Sequence, residues 1–467
     1  MRGLVLGSAL FLLLAAPAWA GGPHLLVGAA EDAAEQPNMA LATAAMQRAH
    51  DAGLTTIRMT ATWARGERTL PAADRTKLQN AVSAALFSDV RVILSIYPYG
   101  SSQTPTTADQ QADFAAFAVD VAKTFPSVHD FVVGNEPNLN RFWLPQFGPA
   151  GEDVAAQSYE SLLATTYDAL KAVRPHSTIY GGALAPRGID KPGSLRDTHS
   201  PTAFISDLGA TYRASGRQVP IMDAFAFHPY PENSTIGPDF AHPRSTAIGL
   251  ADYDKLVGLL GQAFDGTAQR GSTLPILYDE FGIETTVPAG KASLYTGKEP
   301  ATTKPVDEAT QAKEYEQALS MVYCNRNVIG LLLFHVEDEK ALASWQSGLY
   351  DVDGTPKSSL VPVRNAIGAV HRNAIADCPG LQLTPKATLK ALTPTATSTR
   401  LSLTCDIDCR YTAQLGGGKK LRGTATGGVP TTLVFPSRPA ARTPAQAWVL
   451  ATRNVGAVGH TQVTVSP

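Results

Sequence analysis

Residues 131–143 read FVVGNEPNLNRFW: a strand-like apolar run, Phe131 to Val133, followed after one glycine by Asn135-Glu136-Pro137. A carboxylate at the end of a buried strand is unfavourable unless a partner neutralises it or chemistry uses it. Seven other runs share this texture. They are His24–Gly28, Thr55–Met59, Val90–Ile96, Thr178–Gly182, Ala224–Phe227, Ile276–Tyr278 and Ile329–Phe334. Segments rich in Ala, Leu, Gln and Lys with helical spacing lie between them, as in Leu78–Phe87, Gln110–Ala122, Ala155–Ala172 and Glu308–Val322. Eight strand-then-helix alternations over about 350 residues predict a parallel (β/α)8 TIM barrel. A doubly wound open sheet is the alternative, but no G-x-G-x-x-G follows the first strand to support a dinucleotide-binding version.

The chain has 467 residues, 44% of them hydrophobic, enough for a large core and more than one domain. Its 39 basic and 41 acidic residues nearly cancel, which gives no reason to expect nucleic acid or an anionic membrane as a partner. After Cys378 the helical runs stop. Short Thr/Val/Leu-rich strands alternate with turns such as Gly416-Gly417-Gly418 and Gly427-Gly428, the pattern of a small antiparallel β-sandwich. The expected division is a barrel over 21–380 and a sandwich over 381–467. Residues 1–20 read as a secretory signal peptide, with Arg2, the apolar run Leu4–Ala16 and the small-x-small Ala18-Trp19-Ala20. The run is shorter than the roughly 20 residues a membrane span needs, so a secreted chain without a span, a monomer, is expected.

Four cysteines permit three pairings. Cys405 and Cys409 flank Asp406-Ile407-Asp408 and suit a bridge across a tight hairpin, with Cys324 and Cys378 pairing in the larger domain. No histidine stands near them at zinc-ligand spacing, and neither a metal nor a cofactor is expected. No G-x-S-x-G elbow is present for esterase chemistry.

In a (β/α)8 barrel the strands' C-terminal ends share one mouth, where catalytic side chains gather. The fourth run ends in Gly134-Asn135-Glu136-Pro137 and the seventh in Asp279-Glu280-Phe281-Gly282. Two carboxyl groups at one mouth are what glycosidic cleavage requires. One donates a proton to the leaving oxygen, and the other attacks or activates water. Taken alone, Asn-Glu-Pro also suits a helix start, Asp279-Glu280 a surface turn, and Arg58 a structural ion pair.

These two motifs, in this order and spacing, resemble the retaining clan A glycoside hydrolases, the cellulase-like and β-xylosidase-like barrels. The resemblance implies Glu136 as acid/base and Glu280 as nucleophile, with Asn135 bonding a sugar 2-hydroxyl. It covers residues 24 to 375. Arg58 falls where the clan places an Arg beside the nucleophile. His228-Pro229-Tyr230 resembles the clan's His-x-Tyr, implying that Tyr230 bonds the nucleophile and His228 contacts substrate. Ser347 to Gly354 also looks like these enzymes. Two places depart from the pattern. Tyr97-Pro98-Tyr99 ends the third run where many relatives have His, and Phe334-His335 ends the eighth where many have Trp; His335 is the expected substitute contact.

Trp63, Tyr97, Tyr99, Phe142, Trp143 and Trp345 are candidate sugar platforms, Trp143 foremost among them. Glu337 is the spare carboxylate for a sugar hydroxyl, and Glu284 is expected farther out along its loop. The reading is a secreted retaining glycosidase acting on a glycoside or an oligo- or polysaccharide. A silent carbohydrate-binding barrel and a transglycosylase are the alternatives.

Overall fold

The computed structural model describes residues 21–466 except 195, 376–377, 379–382, 440 and 453–457; the expected signal peptide, 1–20, lies outside the described residues. Eight strands close into a barrel in sequence order: β1 (Leu26–Ala30), β2 (Thr56–Trp63), β3 (Arg91–Pro98), β4 (Asp130–Val133), β5 (Thr178–Leu184), β6 (Ala224–Phe227), β7 (Ile276–Phe281) and β8 (Val328–Phe334). Around it run α1 (Met39–Asp51), α2 (Ala72–Phe87), α3 (Ala108–Thr124), α4 (Val154–Val173), α5 (Pro201–Ser215), α6 (Tyr253–Phe264), α7 (Glu308–Cys324) and α8 (Leu360–His371). The strands read as unbroken apolar runs because both faces are covered. In β4, Phe131 and Val133 join the layer under the helices, while Val132 joins the inner cluster with Ile93, Tyr180, Ala224, Ala226, Leu277 and Leu332. Side-chain caps start several helices, among them Asn38 on α1, Asp153 on α4 and Asp307 on α7.

Five strands, β1, β2, β3, β5 and β7, run past their predicted ends, and two of these extensions shape the mouth. Ala29 and Ala30, poor strand formers alone, extend β1 because β2 and β8 pair with them on both sides. That carries Glu31 and Asp32 to the mouth. β5 continues through Gly182 and Ala183 by a register shift against β6. Gly182 has φ 95° and Ala183 φ 48°, the left-handed region that glycine enters freely and alanine does not. The bulge turns the Ala183 carbonyl toward β4, where it accepts the Glu136 N–H at 2.8 Å.

The C-terminal segment forms two antiparallel sheets. β9 (Ala387–Ala391), β10 (Thr399–Cys405) and β13 (Thr431–Phe435) make one. β11 (Cys409–Leu415), β12 (Leu421–Ala425), β14 (Thr443–Ala451) and β15 (Val458–Val465) make the other. Both expected disulfides are present, Cys324–Cys378 and Cys405–Cys409. The hairpin expected around the second is corrected: β10 and β11 belong to different sheets, so the bond spans the corner where the chain changes sheet.

The sandwich sits at the foot of the barrel, beside the segment after α6. There Asp265 accepts the backbone N–H of Asp408 at 3.1 Å, and the Asp408 carboxylate accepts that of Gly427 at 2.9 Å. The contact is close enough that a Cβ on Gly427 would lie 2.7 Å from the Asp265 Cβ. Gly427→Val should therefore destabilise the protein by about 2 kcal/mol in urea unfolding, as overpacking does. Gly417→Val, at a turn where nothing lies within 4 Å, should leave the unfolding midpoint unchanged.

Candidate active site

Four strands and the turns that follow them bring five charged groups together. Arg58 of β2 donates from Nη1 to Asp279 at 2.8 Å and from Nη2 to Glu280, both on β7. His228, just past β6, lies with Nδ1 3.0 Å from Glu136 and 3.4 Å from Glu280, and with Nε2 3.4 Å from Asp279. Tyr230 donates its hydroxyl to Glu280 Oε2 at 3.0 Å. Oxygens of Glu136 and Glu280 and a His228 nitrogen all lie within 4.8 Å of one another. That spacing would also suit a cation, but Arg58 and His228 already bring positive charge to these carboxylates.

Burial alone would strip the proton from His228. The carboxylates around it, Glu280 first, outweigh that and push it up to about 10. Burial likewise opposes charge on Asp279, but His228 and Arg58 hold its carboxyl below the usual range. Arg58 stays charged, since burial's opposing effect is overcome by Glu280 and Asp279.

The site residues occupy unusual backbone. Glu136 has φ 42° and His335 φ 73°, conformations that non-glycine residues adopt only when the surroundings hold them. For Glu136 the holding is visible. Its N–H is bonded to Ala183, and the buried Tyr159 hydroxyl accepts from Gly182 N and donates to the Val133 carbonyl, both at 2.7 Å.

A cavity of about 700 Å³ opens over this cluster. Arg58, Asn135, Glu136, Tyr230, Glu280 and His335 line it. The buried Asn135 Oδ1 has no hydrogen-bond partner, leaving an acceptor free for a donor in the cavity. His335 packs at a tilt against Phe334, ring centres 4.1 Å apart, and faces Glu31 and Glu339, each at 3.7 Å.

Four expectations are corrected. Trp143 is completely buried and does not face the cavity. It packs edge-on against Tyr159 at 5.6 Å and donates to Ser158, so it braces the tyrosine that ties β4 to β5. His228 is also completely buried and meets the carboxylates rather than the cavity. Glu337 is drawn off to Arg48 at 2.9 Å and is not in the cavity wall. Glu284 does line the cavity, where burial pushes its carboxyl up to about 7.

Of the six aromatic candidates, Tyr97, Phe142 and Trp345 line the cavity, Trp345 with Tyr230 at 4.9 Å and Phe334 at 5.1 Å. Other wall residues escaped the sequence. Glu31 and Asp32 follow β1 and were hidden by ending that strand two residues early. Arg187 and Glu232 follow β5 and β6. Arg187 is fixed by the carbonyls of Tyr230 and Pro231, both at 2.9 Å, and Glu232 by His242 at 2.6 Å.

Because His228 is held charged, its stabilising contribution is full below the unfolded value of 6.5 and is lost as pH rises through about 10. His228→Asn should be less stable than the wild type near pH 6. The gap should narrow steadily up to pH 10 in urea unfolding, and a constant gap would show that His228 carries no folded-state charge.

No family model matches the sequence, and no curated protein matches it. Solved structures do. A family 39 glycoside hydrolase from the gut symbiont Bacteroides cellulosilyticus WH2 aligns with 88% of this chain and 81% of its own, at 17% identity and a TM-score of 0.50. GH5_18 from Streptomyces cattleya, solved in complex with Manb1-4GlcNAc, aligns with 78% of this chain and 84% of its own, at 16% identity and a TM-score of 0.51. At such identities the likeness is one of fold: this chain carries the (β/α)8 barrel that these two structures carry.

Proposed function

We propose that the protein is a glycoside hydrolase that retains anomeric configuration, with Glu280 as nucleophile and Glu136 as acid/base. The observation that carries this is the approach of the two carboxylates, with oxygens within 4.8 Å. Inverting enzymes separate their carboxyl groups by about 6.5–9.5 Å to seat a water between acid and base, while retaining ones hold them at about 5–5.5 Å.

Charge accounting supports the roles. Arg58 and His228 supply two positive charges against three carboxylates, Asp279, Glu280 and Glu136. With a proton on Glu136 the cluster is neutral. The charged His228 donates from Nδ1 to Glu136 Oε1, which leaves the proton on Oε2, free for the leaving oxygen. As Glu280 attacks the anomeric carbon, the glycosidic bond breaks and Glu136 gives up that proton. Glu280 becomes a neutral ester while Glu136 becomes an anion, so the cluster is neutral again. Glu136 then takes a proton from water, which attacks the anomeric carbon and releases Glu280. Arg58 and Tyr230 hold one oxygen each of Glu280 throughout.

Asn135 and Trp345 are assigned to the bound sugar, the first to a hydroxyl and the second to a ring face. The substrate class is a glycoside, oligosaccharide or polysaccharide. Secretion is part of the proposal, and two disulfides support an oxidising compartment. No described helix is long and apolar enough to cross a membrane.

Turnover of an aryl glycoside panel tests the reading. Glu136→Gln should lower kcat by about 10²–10⁴-fold on substrates with poor leaving groups. A 2-deoxy-2-fluoro glycoside of the preferred sugar should label Glu280 in peptide mass spectrometry. A label elsewhere, or an inverted product by NMR, would overturn the assignment. Trp345→Ala should raise KM with the fold intact, whereas Trp143→Ala should destabilise the fold by about 3–5 kcal/mol.

A further inference from the structure

The near-cancellation of charge over the whole chain conceals an uneven distribution. Residues 381–467 contain ten Lys and Arg but only two acidic residues, Asp406 and Asp408. Both aspartates are engaged with backbone: Asp406 accepts the Lys386 N–H at 2.8 Å, and Asp408 accepts that of Gly427. Neither stands on the outer face of the larger sheet.

That face is built by strand alternation. In β14, Ala445, Ala447 and Val449 point into the sandwich, leaving Gln446 and Trp448 outward. Register then sets a row across the sheet, Arg422 beside Thr412, Thr412 beside Trp448, and Trp448 beside His460. A second row places Gln446 beside Gln462. The Lys420 ammonium stands 5.8 Å from the Trp448 ring centre, and the His460 ring 5.5 Å from it. Among the described residues neither Lys420 nor Arg422 forms an ion pair, and both are exposed. No described residue of the sandwich lines the barrel cavity.

We propose that this face binds an anionic polysaccharide. The indole offers an apolar plate to the C–H face of one sugar ring. The glutamine amides meet hydroxyls, and Lys420 and Arg422 meet carboxylate or sulfate groups on neighbouring residues of the polymer. A nucleic-acid strand fits less well, because successive bases call for several stacking aromatics and this face has one indole. The inference does not depend on the catalytic assignment, since it concerns a surface the cavity does not share.

Affinity electrophoresis of the full-length protein tests it, through gels containing polygalacturonate, neutral dextran or single-stranded DNA. Polygalacturonate should retard the protein and dextran should not. Trp448→Ala and the double variant K420E/R422E should each weaken retardation by about tenfold, with an unchanged melting temperature. Should Trp448→Ala fail to fold, the double variant decides. Failure of polygalacturonate to retard the wild type would overturn the proposal. So would full retention by K420E/R422E, or equal retardation by DNA, which would mark a sink for any polyanion.

Discussion

Arg58 and His228, set against Asp279, Glu280 and Glu136, hold the mouth of this barrel together. Three carboxylates that close in a largely buried site repel one another and lose part of their hydration. Two buried cations make the arrangement tenable, and each touches more than one acid. The cluster draws on β2 and on the ends of β4, β6 and β7, so those strands must be held in register with one another. Losing one partner would leave a charge buried without compensation, which typically destabilises by about 3–5 kcal/mol.

The backbone conforms to that requirement. Glu136 and Ala183 both take left-handed conformations, and one supports the other through a single hydrogen bond. Tyr159 fastens the same two strands from the helix layer, with Trp143 behind it. Strain at the reacting group is thus balanced by a rigid apolar support. The residue that looked most suited to stack on a sugar belongs to this support.

The strand ends were legible because a fully buried strand is an unbroken apolar run, and its last residue is where polar chemistry begins. This rule led to Glu136 and Glu280, the resemblance added Arg58 and Tyr230, and the rule failed where a strand closed on small residues. Ala29 and Ala30 carry little apolar signal, so Glu31 and Asp32 went unnoticed. Loop residues were harder, since nothing local says which way a loop folds. Glu284 turns inward after β7, while Glu337 is captured by Arg48 of α1, hundreds of residues away. Trp345 reaches Phe334 only because the chain after β8 doubles back. The cysteine spacing was legible as a bond but not as a corner, because sheet membership is decided by distant partners.

The junction at Asp265, Asp408 and Gly427 lies at the foot of the barrel, and the loops that surround the cavity lie at the other end. The two ends therefore answer to different demands. Mouth loops can lengthen, shorten or exchange side chains without disturbing how the sandwich is seated. The foot, where one added methyl group would meet packed atoms, admits almost no variation. A lineage built on this plan would be free to change what it recognises at one pole while the other pole keeps its architecture constant.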